Sequence, residues 1–519
     1  MGDELPFDRS PLTADYRAAR AKYTKKAACG RDYVLVSKLR LWLKSNVTPG
    51  VEGSTQATRL LAFAYRNRSR DKPGLPMSPE ELFHSRYGCI LVFCVLLELD
   101  RGHLVNEFLR RGIYDDLLPT DLHPLREKTA TMGTRDPDPL ANGFHILQWK
   151  FCPVIIEMDM RRSFYEDHIL PFCQREKINE KGVHAQLWQV AIPEEFVGPR
   201  LRAVVEDKKY DNPDDDHGPR YNFALKTFNE GDKASFENEK NAFMALRHHV
   251  GIVQYFGDYK HSEAGAGKTL TSNIIMEYAD YDLDEYFTEF SPPVSQSAIK
   301  SFWEGLFDIA HAVNDIHNLI VDTHGRMREF SGWHANIDPD NILIVQGQLK
   351  LAGQSSVAFL EKAEAEPKNV VIGGKETYGA PERYSRHGSL DAVSQAIDIW
   401  SLGCVFSIAA TWVVLGHKGI RQFAHLRQTS IDKIVQAQAK PRTSPRKNPQ
   451  LTPGDYFHDG ANVLTNVIGW HAHLRSVLRR SDITTSRVLD IVDQKMIVGN
   501  AGRRIKAKDL CAELDQIKA

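Results

Sequence analysis

The chain has 519 residues, 42% hydrophobic and 26% charged, with a formal net charge of −1. That is ordinary globular composition, enough for roughly two to four domains. The near-zero charge excludes a global field that would draw nucleic acid or an anionic membrane. Seven cysteines lie scattered without C-x-x-C pairs, which suits reduced core thiols in a reducing compartment.

The first residues, MGDELPFDRS, are acidic and carry no apolar stretch, so no secretory leader is expected. Pro6 stands where N-myristoylation needs Ser or Thr. Residues 1–150 read as a helical module. GCILVFCVLLELDRGHLVNEFLRRGI (88–113) joins a dense apolar run to helix-period spacing at Leu97, Leu104, Phe108 and Leu109. The run Cys89–Leu97 is too short to span a bilayer. Residues 67–79, rich in Arg, Lys, Pro and Ser, read as a loop.

From Lys150 the texture changes. β-Branched residues appear in FCPVIIEMDM, and HAQLWQVAI (184–192) and YNFALKTF (221–228) predict strands. The acidic YDNPDDDHGPR between them lacks calcium-loop spacing and reads as a solvated loop. A helix is predicted over 233–247, then strands over 252–259 and 271–278. HSEAGAGKTL (261–270) contains G-K-T, but Ser262 stands where a phosphate-binding loop needs its first Gly, so a hairpin tip is expected. From 297 onward the chain reads as mostly helical. Ile299, Trp303, Leu306, Ala310, Val313 and His317 form one core-facing stripe. KPRTSPRKNPQ (440–450) reads as an exposed basic loop.

Several short motifs follow in order: FALKTF (223–228), IIMEYADYDL (274–283), HANIDPDNIL (334–343), KLAGQSSVAF (350–359), TYGAPE (377–382), DIWSLG (398–403) and RRIKAKDL (503–510). In this order and spacing, residues 150–517 resemble the protein kinase fold. They are similar to kinase-like proteins of filamentous fungi with a helical N-terminal module. The resemblance implies an α+β, bilobal fold. It divides the chain into a helical module at 1–150 and a kinase-like domain at 151–519. Within that domain the strand-rich lobe covers about 170–279 and the helical lobe about 280–519.

The resemblance also assigns positions. Lys226 takes the place of the lysine that pairs α/β-phosphates. Glu239 takes that of its glutamate partner, with Glu237 as competitor; a surface Lys and Glu is the other reading. The glycine-rich loop falls on Glu180, Gly182, Ala185 and Leu187, where only Gly182 is a glycine. Met276 is the gatekeeper, and Glu277 to Ala279 offer backbone to adenine. Glu382, Asp398 and Arg504 hold architecture: an Arg504–Glu382 pair, and Asp398 bracing the catalytic loop.

The chemistry-bearing positions depart from the family. Asn336 stands where an Asp would accept the acceptor hydroxyl's proton, and Asp338 where a Lys would meet the transferring phosphate. Asn341 keeps a metal-ligand position, but Gly353 replaces the metal-holding Asp, followed by Gln354 and Ser355. Lys375 replaces the Thr of the substrate-side stretch. Three readings stand: a catalytically impaired pseudokinase acting as scaffold or regulator, an active Ser/Thr kinase with unusual ligands, and nucleotide binding without transfer. No cofactor is firmly implied: ATP is open and magnesium disfavoured. The expected partners are proteins, with no nucleic acid and no membrane, inside the cell in cytoplasm or nucleus.

Overall fold

Residues 11–47, 54–66, 76–130, 132, 137–179, 185–213, 215–247, 249–262, 270–323, 326–353, 357–361, 375–384, 394–439 and 451–518 are described by the structure, a computed structural model. The chain divides into two compact units. One comprises Met1–Glu230 with Phe256–Ile275, the other Gly231–Tyr255 with Met276–Ala519.

The first unit opens with α1 (Pro11–Tyr23), a hairpin of β1 (Thr24–Lys26) and β2 (Asp32–Val34), α2 (Val36–Lys44) and α3 (Gln56–Ala64). Then come α4 (Ile90–Glu98), α5 (Val105–Arg110), α6 (Leu122–Ala130) and α7 (Pro137–Phe151). Seven of the nine residues of α4 are buried, as a helix apolar on all sides must be. The run 88–113 is not one helix. After Glu98, Asp100 takes φ +55. Gly102 packs so closely that a Cβ there would lie 2.9 Å from the Leu97 side chain and 3.2 Å from Ala64. The chain turns at this point before α5. The start of α4 has no side-chain cap of its own; the Asp115 carboxylate supplies one, accepting from the N–H of Leu91 (2.8 Å) and Val92 (3.2 Å) while Arg40 holds its other oxygen.

The unit continues into a six-stranded sheet of β3 (Met160–Phe164), β4 (Gln174–Asn179), β5 (Ala185–Pro193), β6 (Arg220–Phe228), β7 (Tyr255–Ser262) and β8 (Leu270–Glu277), ordered β3-β7-β8-β6-β5-β4. A helix absent from the sequence reading, α8 (Pro199–Val205), lies between β5 and β6. Tyr33 and Trp149 share one core with Ile156, Val190 and Phe256. The expected boundary at 150 therefore falls inside α7 and inside this unit. The strand expected from 252 begins at Tyr255, because Ile252 bridges Leu351 in the second unit instead.

The second unit holds α9 (Lys233–Leu246), α10 (Leu283–Glu289), α11 (Gln296–His317), α12 (Ala396–Ala439), α13 (Thr465–Ser476), α14 (Thr485–Ile491) and α15 (Ala507–Lys518). All six stripe residues of α11 are buried. Helix α12 breaks at Gly416, where φ is +69. Its stretch Ala396–Gln438 is long and apolar enough to cross a membrane, but its most apolar window is 78% buried, as in a core helix.

The region after 297 is less uniformly helical than expected. It carries β10 (Leu319–Thr323), β11 (Arg326–Trp333), β12 (Ile342–Val345), β13 (Gln348–Leu351) and β14 (Ala358–Glu361), with β9 (Tyr281–Asp282) ahead of them. These form two three-stranded sheets, β10-β11-β14 and β13-β12-β9. The strands are short, so a helix-period search passes over them. They position the chemistry: residues 334–341 bridge β11 to β12, and Gly353 follows β13.

Candidate functional site

The loop 334–341 hangs from one buried carboxylate. Asp398, at the start of α12 and 1% exposed, accepts from the backbone N–H of His334 (2.9 Å) and Ala335 (2.8 Å) and from His317 Nε2 (2.9 Å). Burial works against its charge, but the His317 hydrogen bond and the neighbouring imidazoles prevail and hold the carboxyl below its ordinary range. Ala335 is thereby fixed at φ +58, a conformation a non-glycine residue takes only under such restraint. His334 is fully buried and held neutral by desolvation; its Nε2–H donates to the Ala352 carbonyl at 2.8 Å. This bond ties the loop to the residue before Gly353.

Within the loop the polar groups satisfy one another. The Asn341 Nδ2 donates to the Asn336 carbonyl and to Asp338 Oδ1, both at 3.1 Å, and the Asn341 backbone N–H reaches the same Asp338 oxygen at 3.1 Å. Asp338 is 4% exposed, and burial followed by the nearby Asp340 pushes its carboxyl up to about 6. The Asn336 Oδ1 is buried without a hydrogen-bond partner. An Asp there would place a charged oxygen in the same buried spot, where Oδ1 meets no donor.

Gly353 stands at φ +83, and a Cβ built on it would lie 2.5 Å from Asn341 Oδ1. The asparagine amide already fills the space a side chain at 353 would need. Its Oδ1 is thus the one side-chain oxygen of this pair. Magnesium prefers hard carboxylate oxygens beside phosphate and water, and a single amide oxygen with an adjacent glycine does not fit that demand. Among the described residues no group of three or more His, Cys, Asp or Glu side chains could hold a metal ion.

Lys226 lies on β6 opposite Leu187, its ammonium 5.6 Å from the Phe228 ring centre. Glu239, on α9 of the second unit, is 2% exposed. Gly182, with Glu180, lies outside the described residues, as do Gln354 and Ser355. Met276 is 7% exposed at the end of β8. Glu277 is held through its side chain as well as its backbone. Its carboxylate takes both Lys350 bonds (2.9 and 2.7 Å) and the Gln254 N–H (3.2 Å), while its own N–H donates to the Gln254 carbonyl (2.9 Å). Sequence reading missed Lys350, whose partner lies 73 residues away. Ala279 follows in irregular backbone, anchored by the Asp280 N–H on Ile344 O at 3.0 Å.

The architectural residues meet. Arg504 forms a two-point pair with Glu382 (2.6 and 2.8 Å) and donates to the carbonyls of Val498, Ala396 and Gly499. Lys375 reaches the loop itself, its Nζ 2.8 Å from Asp340 Oδ1. Elsewhere in the unit, Ser407, His471 and Asp493 form a hydrogen-bonded line resembling a hydrolase triad. Ser407 and His471 are wholly buried, so this line braces α12 against α13 and presents no nucleophile.

Compared with protein families, the chain matches the protein kinase domain over residues 217–513, more than half its length. No curated protein matches it.

Proposed function

The chain belongs to the protein kinase family, and from that premise we propose that it is a catalytically impaired member, a scaffold or regulator of other proteins. The observation that carries this reading is the Asn341–Gly353 pair, where an amide fills the place of the metal-holding carboxylate. Asn336 cannot take a proton from an alcohol, and Asp338 puts negative charge where a transferring phosphate needs positive. The preserved frame supports the same reading. Asp398 still holds the loop, and Arg504 still grips Glu382. The departures fall mostly on groups that handle phosphate and metal, Lys226, Glu239 and Asn341 excepted, while the groups that hold the fold are kept.

Nucleotide binding without transfer fits within this proposal. By the family's pattern, Lys226 and Glu239 are the candidates for phosphate, the backbone of Glu277 to Ala279 the candidate for adenine, and Asn341 a vestigial ligand. ATP would then bind without its metal. Proteins are the proposed partners, with the helices of 1–150 as the docking part, inside the cell. Seven free cysteines are consistent with a reducing setting.

One observation favours an active kinase. Asp338, pushed up to about 6, titrates in the range a general base uses. Its burial and its three hydrogen bonds oppose that role. Transfer from radiolabelled ATP separates the readings. With magnesium or manganese, the full chain should label neither itself nor generic Ser/Thr substrates above a Lys226→Ala control. Labelling that Lys226→Ala abolishes and Asp338→Asn reduces would replace this proposal with an active enzyme.

A further inference from the structure

The stretch 375–378 is held by consecutive residues. Lys375 Nζ pairs with Asp340 Oδ1 at 2.8 Å, and the Lys375 backbone N–H donates to the Asp338 carboxylate. Glu376 accepts from the Tyr456 hydroxyl, and Thr377 Oγ1 donates to Asp455. Asp455 is in turn fixed by Arg427, itself buried between Phe423 and Phe457. The Tyr378 carbonyl accepts from Ser401 Oγ at 2.8 Å. One side of the stretch is therefore tied to the loop 334–341 and the other to the helical core.

Segments of this kind are commonly ordered by a phosphate that recruits an arginine. The loop offers no arginine next to His334: Ala335 stands there, its N–H already committed to Asp398. The cation comes instead from the segment, and the two anions from the loop. The Lys375 ammonium bonds Asp340 directly and feels the charge of Asp338 beside it, so the departure at 375 places a cation where the loop gathers two carboxylates. We propose that Lys375 is a built-in latch that keeps residues 375–378 docked on the loop 334–341 without phosphorylation. The chain's own charges thus bias residues 375–378 towards the docked position, without a switch by phosphate. This inference goes beyond the loss of catalysis and does not require it.

Hydrogen–deuterium exchange on the full chain tests it, comparing wild type with Lys375→Ala, Asp340→Asn, their combination and Lys375→Arg. A partly exposed ion pair contributes about 1 kcal/mol at most, so the amides of Tyr378 and Gly379 should exchange about three- to fivefold faster in each single variant. The combination should add nothing, because both changes break one contact. Lys375→Arg should stay near wild type, and phosphatase treatment should leave wild-type exchange unchanged. Unchanged amides in α11 would show that the fold is intact. Wild-type exchange in Lys375→Ala, or protection that phosphatase removes, would overturn the latch. Neither result bears on phosphotransfer, which the radiolabel assay decides separately.

Discussion

Asp398→Ala should destabilise the second unit by about 3–5 kcal/mol, the scale of removing one partner from a buried charged network. Three donors lose their acceptor at once: the N–H groups of His334 and Ala335, and His317 Nε2. None can reach water, since His317 and His334 are 3% and 0% exposed. Ala335 also loses what holds it at φ +58. Chemical denaturation followed by tryptophan fluorescence checks this, because Trp303, Trp400 and Trp412 are all in the same core. The acid limb gives a second signature. A carboxyl held below its unfolded value contributes stability fully above the ordinary Asp pKa of about 3.9, and loses it as pH falls through the folded value. The wild type should therefore weaken in that window more steeply than Asp398→Ala. A variant within about 1 kcal/mol of wild type, with the same acid limb, would mean the loop is held by something else.

Gly353→Asp puts a carboxylate where the kinase resemblance expects the metal-holding Asp, yet it should destabilise by about 2–4 kcal/mol and confer no metal-dependent nucleotide binding. Its Cβ must displace Asn341, whose amide would then give up its bonds to Asn336 O and Asp338 Oδ1. Backbone strain at φ +83 adds to this. Gly347→Asp is the internal control. Gly347 has φ +78 with nothing within 4 Å, so it carries the strain without the collision and should cost about 1 kcal/mol. Thermal melts of the two variants side by side separate the terms. Equal losses would show that Asn341 moves aside freely and that the site could readmit an acidic ligand.

The departures at 336, 338 and 353 were legible in the sequence because a loop motif is local: each changed residue is visible by itself. What replaced them was not. That Asn341 occupies the room of a side chain at 353 depends on the turn between β12 and β13, and no spacing rule reveals it. Lys375 was visible as a departure, but its hold on Asp340 spans 35 residues, and Lys350 on Glu277 spans 73. The α11 stripe was readable because six buried residues repeat at helical period. The β10–β11 pair was missed: RMREFSGW in β11 is mostly polar, with no apolar–polar alternation to mark a strand in a helix-rich stretch. The boundary at 150 followed a real change in composition, but the shared core of Tyr33, Trp149 and Val190 runs across it.

The most direct measurement is isothermal titration of the full chain with ATP, in excess magnesium and again in chelator. An impaired site with one side-chain amide oxygen at Asn341 and no side chain at Gly353 predicts the same affinity, within about twofold, in both conditions, or no binding in either. A tightening of tenfold or more on adding magnesium, about 1.4 kcal/mol, would mean that a divalent ion finds acidic oxygens in this site, and would contradict the account.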